Sequence, residues 1–264
     1  MSEQSGPRVG LFVTCLVDLM RPSVGFAAVR LLERAGCRVE VPAAQTCCGQ
    51  PAFNTVDRSD AARIAAKVVE AFEPYDYVVA PSGSCAGMLK THYPALLAGS
   101  GLAPGRVEAF AGKVYELVSF LTDVLEVETV DARHRGAVTY HDSCAGLREL
   151  AIRDQPRRLL ASVEGLTLTE METPEVCCGF GGMFAMKFPD VSNAIVERKT
   201  ADITRTGAPL VLSGDLGCLM NIVGKLQREG RPVVARHVAE VLAGMTDQPA
   251  IGESGGGQPG RRDG

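Results

Sequence analysis

Cys47-Cys48-Gly49 recurs 130 residues later as Cys177-Cys178-Gly179. Working outward from each copy, one more cysteine precedes the pair and one more follows it, at similar distances in both places. Four cysteines that recur at offsets of 129 to 133 residues indicate an internal duplication. The first set is Cys15, Cys47, Cys48 and Cys85, and the second set is Cys144, Cys177, Cys178 and Cys218.

Strand-like apolar runs alternate with segments of helical periodicity in both halves of the chain. Strands that alternate with crossover helices favour parallel sheets. We therefore predict an α/β fold of two tandem, pseudo-symmetric, three-layer-like units with mostly parallel sheets, spanning residues 8–125 and 136–246. The predicted strands are 9–13, 38–41, 77–80, 137–141, 166–169 and 209–212, and the predicted helices are 22–35, 59–72, 155–163, 191–204 and 233–242.

Composition narrows the class of protein. The net charge of −4 and the lack of a basic stripe give no reason to expect a nucleic-acid partner. No apolar run reaches the roughly 18 residues of a transmembrane segment, and residues 1–7 do not resemble a secretory signal. We therefore expect a cytoplasmic protein, which can still dock on a membrane through its partners. Residues 247–264 lack a core-forming pattern and are predicted to be a disordered tail.

The two cysteine sets predict two clusters of thiolates. Stable disulfides are disfavoured in a reducing compartment, so metal ligation, redox chemistry and simple burial remain for the nine cysteines. Each motif cysteine is expected at a strand end or a turn before a helix, the edge where open α/β sheets bind ligands. Four thiolates suit a [4Fe–4S] cluster or tetrahedral zinc, although the C-x2-C knuckle typical of zinc is missing from the sequence.

Four longer segments extend the pattern to a known family. The chain resembles the CCG-domain iron–sulfur proteins, which include the CCG-containing subunit of heterodisulfide reductase and subunits of glycolate oxidase and anaerobic glycerol-3-phosphate dehydrogenase. Its strongest similarity is to the lactate utilisation protein A family. The matching segments are residues 81–88, 140–144, 177–184 and 214–221.

The resemblance implies an iron–sulfur electron-transfer subunit of a complex that oxidises L-lactate to pyruvate and supports growth on lactate. It implies that the eight motif cysteines are metal ligands, with one or two clusters, expected to be [4Fe–4S], in each chain. The implied partners are other iron–sulfur subunits, and the electron acceptor is not identified. An alternative function is that of a thiol–disulfide reductase of the heterodisulfide type.

Some residues depart from the family pattern or lie outside it. The CCG-containing subunit of heterodisulfide reductase carries a fifth cysteine in each motif, where this chain has Met88 and Asn221, so its five-thiolate clusters do not carry over. Cys37 lies outside both sets and is expected to pack as a small thiol. His141 could donate a hydrogen bond to a cluster sulfur or relay a proton, or it could be structural. His237 is expected within the helix 233–242. No residue pair suited to lactate stands out, so no catalytic residue is predicted.

Overall fold

Two four-stranded sheets, one in each half of the chain, form the framework of the computed structural model, which describes residues 6–253. The first sheet contains β1 (Arg8–Leu11), β2 (Arg38–Glu40), β3 (Tyr77–Ala80) and β4 (Val114–Glu116). The second sheet contains β5 (Arg133–Tyr140), β6 (Glu164–Leu168), β7 (Leu210–Ser213) and β8 (Val234–His237).

The helices connect and cover these strands. Those of the first half are α1 (Cys15–Met20), α2 (Pro22–Arg34), α3 (Gln50–Asn54), α4 (Arg58–Phe72), α5 (Gly83–Gly87), α6 (Tyr93–Leu96), α7 (Pro104–Gly112) and α8 (Leu117–Ser119), with π-helical turns at Met88–His92 and Phe120–Val124. Those of the second half are α9 (Cys144–Leu150), α10 (Asp154–Ala161), α11 (Met183–Lys187), α12 (Pro189–Arg205), α13 (Leu216–Arg228) and α14 (Val238–Leu242). Within residues 6–253, none of them has the length and apolar character needed to cross a membrane.

Both sheets have the same topology, which confirms the predicted α/β class. Their strand orders are β2-β1-β3-β4 and β6-β5-β7-β8, and all strand pairs within them are parallel. Because the carboxyl ends of parallel strands share one edge, the loops after β1 and β3, and after β5 and β7, bring their residues together there.

One large hydrophobic cluster contains residues of both halves. Leu31 and Leu32 on the buried face of α2 belong to the same apolar cluster as Val238 and Leu242 of α14. The two units are therefore packed against one another through α2 and α14.

Two residues set the limits of helix α2. Pro22 suits a first helical position, and Gly36 follows the end of the helix with a φ of +86°.

The structure corrects the prediction for the end of the second unit. A single helix over 233–242 is wrong, because β8 pairs with β7 over four residues and α14 begins only after His237. Strand β8 runs into α14 with no turn residue between them, which hides it in the sequence. Strand β4 of the first sheet runs into α8 in the same way and is also missing from the prediction. His237 ends β8, and its Nδ1 accepts a hydrogen bond from the Ala239 N–H at 3.2 Å.

Two further contacts lie near the predicted limits of the second unit, 136 and 246. Strand β5 begins at Arg133, because Arg133 pairs with Glu164. Ile251, within the predicted tail, forms an isolated antiparallel bridge with Ala235, with hydrogen bonds of 2.8 and 2.9 Å. Residues 254–264 of the predicted tail lie outside the described residues.

Candidate metal centres

The first cysteine of each set begins a helix directly after a strand. Cys15 is the first residue of α1, which follows β1, and Cys144 is the first residue of α9, which follows β5. The preceding hydroxyl residue caps each helix in the same way. Thr14 Oγ1 accepts a hydrogen bond from the third helical N–H, and Ser143 Oγ does the same in the second unit, each at 3.3 Å. These caps fix both cysteines at the carboxyl edge of their sheets.

The last cysteine of each set lies in a helix that follows the next strand of the sheet. Ser82 Oγ accepts a hydrogen bond from Cys85 N–H at 3.3 Å, at the start of α5. Asp215 Oδ1 accepts one from Gly217 N–H at 3.2 Å, next to Cys218 at the start of α13. Side-chain capping therefore positions this cysteine as well.

The central Cys-Cys-Gly turns need glycine for their backbone conformation. Gly49 and Gly179 both have a φ of +80°, in the left-handed region that glycine favours. A Cβ on Gly179 would also come within 2.6 Å of the Ser192 carbonyl oxygen. The turn points backbone donors at sulfur, because Gly179 N–H donates to Cys177 Sγ at 3.3 Å and Phe180 N–H donates to Cys178 Sγ at 3.5 Å.

Each cysteine set lines one cavity. The cavity of the first unit has a volume of about 140 Å³, and that of the second unit has a volume of about 130 Å³. Asp215 and Phe180 contribute to the walls of both cavities, so the two sites are neighbours. The structure brings together Cys15, Cys47, Cys48 and Cys85 around the first cavity, and Cys144, Cys177, Cys178 and Cys218 around the second.

The thiols of each set are close enough to share protons. The Cys15 and Cys48 thiols hydrogen-bond to the Cys47 sulfur, which lowers the pKa of Cys47 to about 2. Cys177 in the second unit has its pKa lowered to about 2 for the same reason, mainly by the Cys144 thiol. These contacts favour the thiolate of Cys47 and of Cys177, and the thiolate is the form of cysteine that binds metal ions.

The surroundings of the second site include a buried histidine. The His141 side chain is fully buried, and its nitrogen, Cys178 Sγ and Cys218 Sγ lie within 4.8 Å of one another. Neither ring nitrogen has a hydrogen-bond partner among the residues that the structure describes. Burial lowers the pKa of His141 to about 3, so the ring is neutral near pH 7 and carries one N–H donor.

The residues at the positions of the missing fifth cysteines have ordinary structural roles. Met88 is fully buried in the core of the first unit. Asn221 Nδ2 donates a hydrogen bond to the Cys178 carbonyl oxygen at 2.8 Å. Cys37 lines neither cysteine cavity and packs in the core shared by the two units, as expected for a small thiol.

Sequence reasoning did not identify Lys199, which is fully buried in α12 beside the second site. The signal was present, because Lys199 lies between Val196 and Ile203 on the apolar face of a helix. A lysine at such a position is rarely buried without a specific set of partners.

The residues present fit an iron–sulfur cluster in each unit. Four sulfurs per site match the ligand number of a [4Fe–4S] cluster, and also that of a zinc site with four cysteine ligands. Each cavity is several times larger than the roughly 30 Å³ that a water molecule occupies, which is more than a single ion needs. Backbone N–H groups directed at the sulfurs further suit an anionic group.

Comparison with known proteins agrees with this class of site. The family model described as CCG, cysteine-rich domain, matches residues 9–90 and 138–223, one match in each unit. A solved structure of a hypothetical protein from Helicobacter pylori has a similar fold, with a TM-score of 0.64 and 10% sequence identity. The similarity covers 94% of this chain but only 52% of that one, and it supports the fold alone.

The fold and the duplicated site thus define a protein with two CCG cysteine-rich domains. Lactate utilization protein A of Oceanobacillus iheyensis is 44% identical over 235 residues, which cover 89% of this chain and 96% of the relative. The protein of the same name from Exiguobacterium sp. is 46% identical over 238 residues, covering 89% and 97%. The chain belongs to the lactate utilization protein A family.

Proposed function

We propose that the chain is an iron–sulfur electron-transfer subunit of a cytoplasmic complex that oxidises L-lactate to pyruvate. The observation that carries the proposal is the pair of cavities, each lined by four cysteines. The link to lactate rests on the relatives, which are named for lactate utilization. The proposed partners are other iron–sulfur subunits of that complex.

In this proposal the eight motif cysteines hold two [4Fe–4S] clusters, which would supply one-electron transfer when bound. The remaining residues shape the sites. Gly179 and Phe180 donate backbone N–H groups to ligand sulfurs. Asp215 Oδ2 accepts from Ser84 N–H at 2.9 Å and from Ser82 Oγ at 3.1 Å, which ties the wall of the second site to the first. Cys15 is exposed, so the first site reaches the protein surface.

The test is the iron and acid-labile sulfide content of anaerobically purified and reconstituted protein. We expect about eight iron and eight sulfide per chain. Cys177→Ser should remove about half of the iron, whereas the matched control Cys37→Ala, outside both cavities, should remove none. No iron after reconstitution, or stoichiometric zinc without sulfide, would overturn the cluster assignment.

The role in lactate oxidation needs a separate experiment. Deletion of the gene should abolish growth on lactate and leave growth on glucose unchanged. Restoration of the wild-type gene should recover growth on lactate. A Cys177→Ser gene should fail to restore growth, while Cys37→Ala should succeed. Normal growth of the deletion strain on lactate would refute this part of the proposal.

The exposure of Cys15 gives one observation in favour of thiol–disulfide reductase activity, because a disulfide substrate needs access to the site. The absence of a fifth cysteine from both motifs of the sequence argues against it. Turnover of a disulfide by the purified protein with an artificial electron donor would favour this second function over simple electron transfer.

A further inference from the structure

The two sites are copies of one another, and the structure shows which residues correspond. Phe12 directly follows β1, and its N–H donates to the Val79 carbonyl at 2.8 Å. His141 directly follows β5, and its N–H donates to the Leu212 carbonyl at 2.8 Å. Both donors precede the first motif cysteine by three residues. His141 in the second unit therefore takes the place of Phe12 in the first.

A second correspondence links the helices that follow the Cys-Cys-Gly turns. The side chain nearest the position of a glycine Cβ is Ile64 in α4 and Ile195 in α12, at 3.4 and 3.3 Å, and these residues are 131 positions apart. At the same offset, Lys199 corresponds to Val68, and both are fully buried. The second site thus has a histidine and a lysine where the first has two apolar residues.

His141 is directed at the sulfurs of the second site. Its ring nitrogens have no partner in hydrogen-bond geometry among residues 6–253, although buried polar atoms in proteins are nearly always hydrogen-bonded. The Pro174 carbonyl lies near the ring but already accepts from Lys199 Nζ at 3.2 Å. The Sγ atoms of Cys178 and Cys218 lie within 4.8 Å of a ring nitrogen and are suitable acceptors for its N–H. Phe12 instead packs on the ring of Phe72, with centroids 5.6 Å apart, and offers no donor.

Lys199 lies near the same site, where its charge acts on His141 and on the Cys218 thiol. Burial lowers the pKa of Lys199, but its hydrogen bonds favour the ammonium form. Its Nζ donates to the Thr173 and Pro174 carbonyls at 2.7 and 3.2 Å and contacts Met171 Sδ at 3.8 Å, which gives one acceptor for each N–H of an ammonium group. No carboxylate of the described residues lies within 4.0 Å of it.

Asp202 and Glu175 are the acidic residues that act most strongly on Lys199. Asp202 also accepts from the Arg205 guanidinium at 3.2 Å, and Glu175 is exposed. Asp142 is adjacent to His141, but both of its oxygens accept from the Arg157 guanidinium at 2.9 Å. Asp215 lines both cavities and so acts on both.

We propose that the second site holds the more easily reduced of the two clusters, because His141 would donate its unpartnered N–H to a ligand sulfur of the bound cluster and Lys199 supplies positive charge there. This inference rests on the proposed function. Reduction adds negative charge, which hydrogen-bond donors and cations stabilise and apolar neighbours such as Phe12 and Val68 do not.

The experiment is an EPR-monitored redox titration of anaerobically reconstituted protein. Cys47→Ser, which should keep only the second cluster, and Cys177→Ser, which should keep only the first, assign the two signals. We expect the second cluster to have the higher potential. His141→Phe introduces the residue that the first site has at this position. It should lower the equilibrium constant for reduction of the second cluster about tenfold, which corresponds to a potential lower by about 59 mV for one electron. The control His134→Phe, in the strand that precedes His141, should leave the potential unchanged.

Further variants separate tuning from ligation and from misfolding. His141→Gln, which retains an N–H donor, should recover most of the potential, and Lys199→Met should lower it independently. Equal potentials in the wild type, or an unchanged second potential in both His141→Phe and Lys199→Met, would overturn the inference. Loss of half the iron from a folded His141→Phe protein would make His141 a ligand and also overturn it. No iron in the wild type would instead refute the proposed function itself.

Discussion

Glu116 shows at the scale of one residue how burial can outweigh hydrogen bonding. Its Oε2 accepts from the Val118 and Ser119 N–H groups at 2.8 and 3.1 Å, which favours the carboxylate. The side chain is nevertheless buried, and Oε1 has no partner within the described residues. Burial dominates and raises the pKa of Glu116 to about 8.

This pKa predicts a pH dependence of stability that Glu116→Gln should remove. The native state retains a proton that the unfolded chain releases near pH 4.5, so the contribution is complete below that pH and is lost as pH rises to about 8. Between these values, wild-type stability should fall relative to Glu116→Gln by up to about 1.4 kcal/mol per pH unit. Urea unfolding of both proteins from pH 5 to 8.5 measures the difference, and parallel curves would contradict it.

Single residues differ in how visible they are to sequence reasoning. The eight motif cysteines could be predicted as two groups because their spacing repeats, and the structure brings each group to one cavity. Lys199 has a sequence signal, its position on the apolar face of α12, whereas Glu116 has none, because its burial depends on segments distant in the sequence. His141 lies between these cases, since its place beside Cys144 was visible but its unpartnered nitrogens were not.

At the scale of elements, helices α5 and α9 are distant in the sequence but pack against one another in the fold. They carry Cys85 and Cys144, and they pack so closely that a Cβ on Gly83 would lie 2.7 Å from Ser143 Oγ and 3.0 Å from Gly146 N. Ser143 caps α9 through its Oγ, so a displacement there would disturb the first turn of that helix. The glycine thus allows one helix of each site to meet the other.

Gly83→Ala should therefore weaken both sites at once. We expect a loss of about 1 to 3 kcal/mol in unfolding free energy, because overpacking forces backbone shifts, together with reduced iron in both sites. Gly112→Ala is the matched control, since its Cβ would meet no atom within 4 Å in α7, and it should be neutral or slightly stabilising. Chemical denaturation and iron analysis of the two variants provide the measurement. Loss of iron from one site alone would argue against a shared contact.

The elements that the sequence predicts best are the long ones. Helix α12 is predicted over 191–204 and spans Pro189–Arg205, because an amphipathic pattern of that length is unambiguous. Strands β4 and β8 each run directly into a helix with no turn residue to mark the end of the strand, so pairing with β3 and β7 is what defines them. The sequence also does not show which helices pack across the two units, because that depends on how the sheets are assembled.

At the scale of the whole molecule, a buried carboxylate joins the two units. Glu240 of α14 is fully buried and accepts from Arg21 Nε at 2.9 and 3.1 Å and from Ser23 Oγ at 2.6 Å, across the interface with α2. It also accepts from His237 N–H at 3.1 Å within its own unit. This contact borders the apolar core that both units share, so the duplicated halves are not independent domains in their packing.

Arg21→Met should destabilise both units together. Removing the cation leaves Glu240 buried with only neutral donors, which we expect to cost about 3 kcal/mol, and the double variant Arg21→Met/Glu240→Gln should recover much of it. Hydrogen exchange should show the amides of β3 and β7 losing protection by the same amount, because opening the shared core exposes both sheets. Loss of protection confined to one sheet would mean that the units unfold separately and that the interface does not couple them.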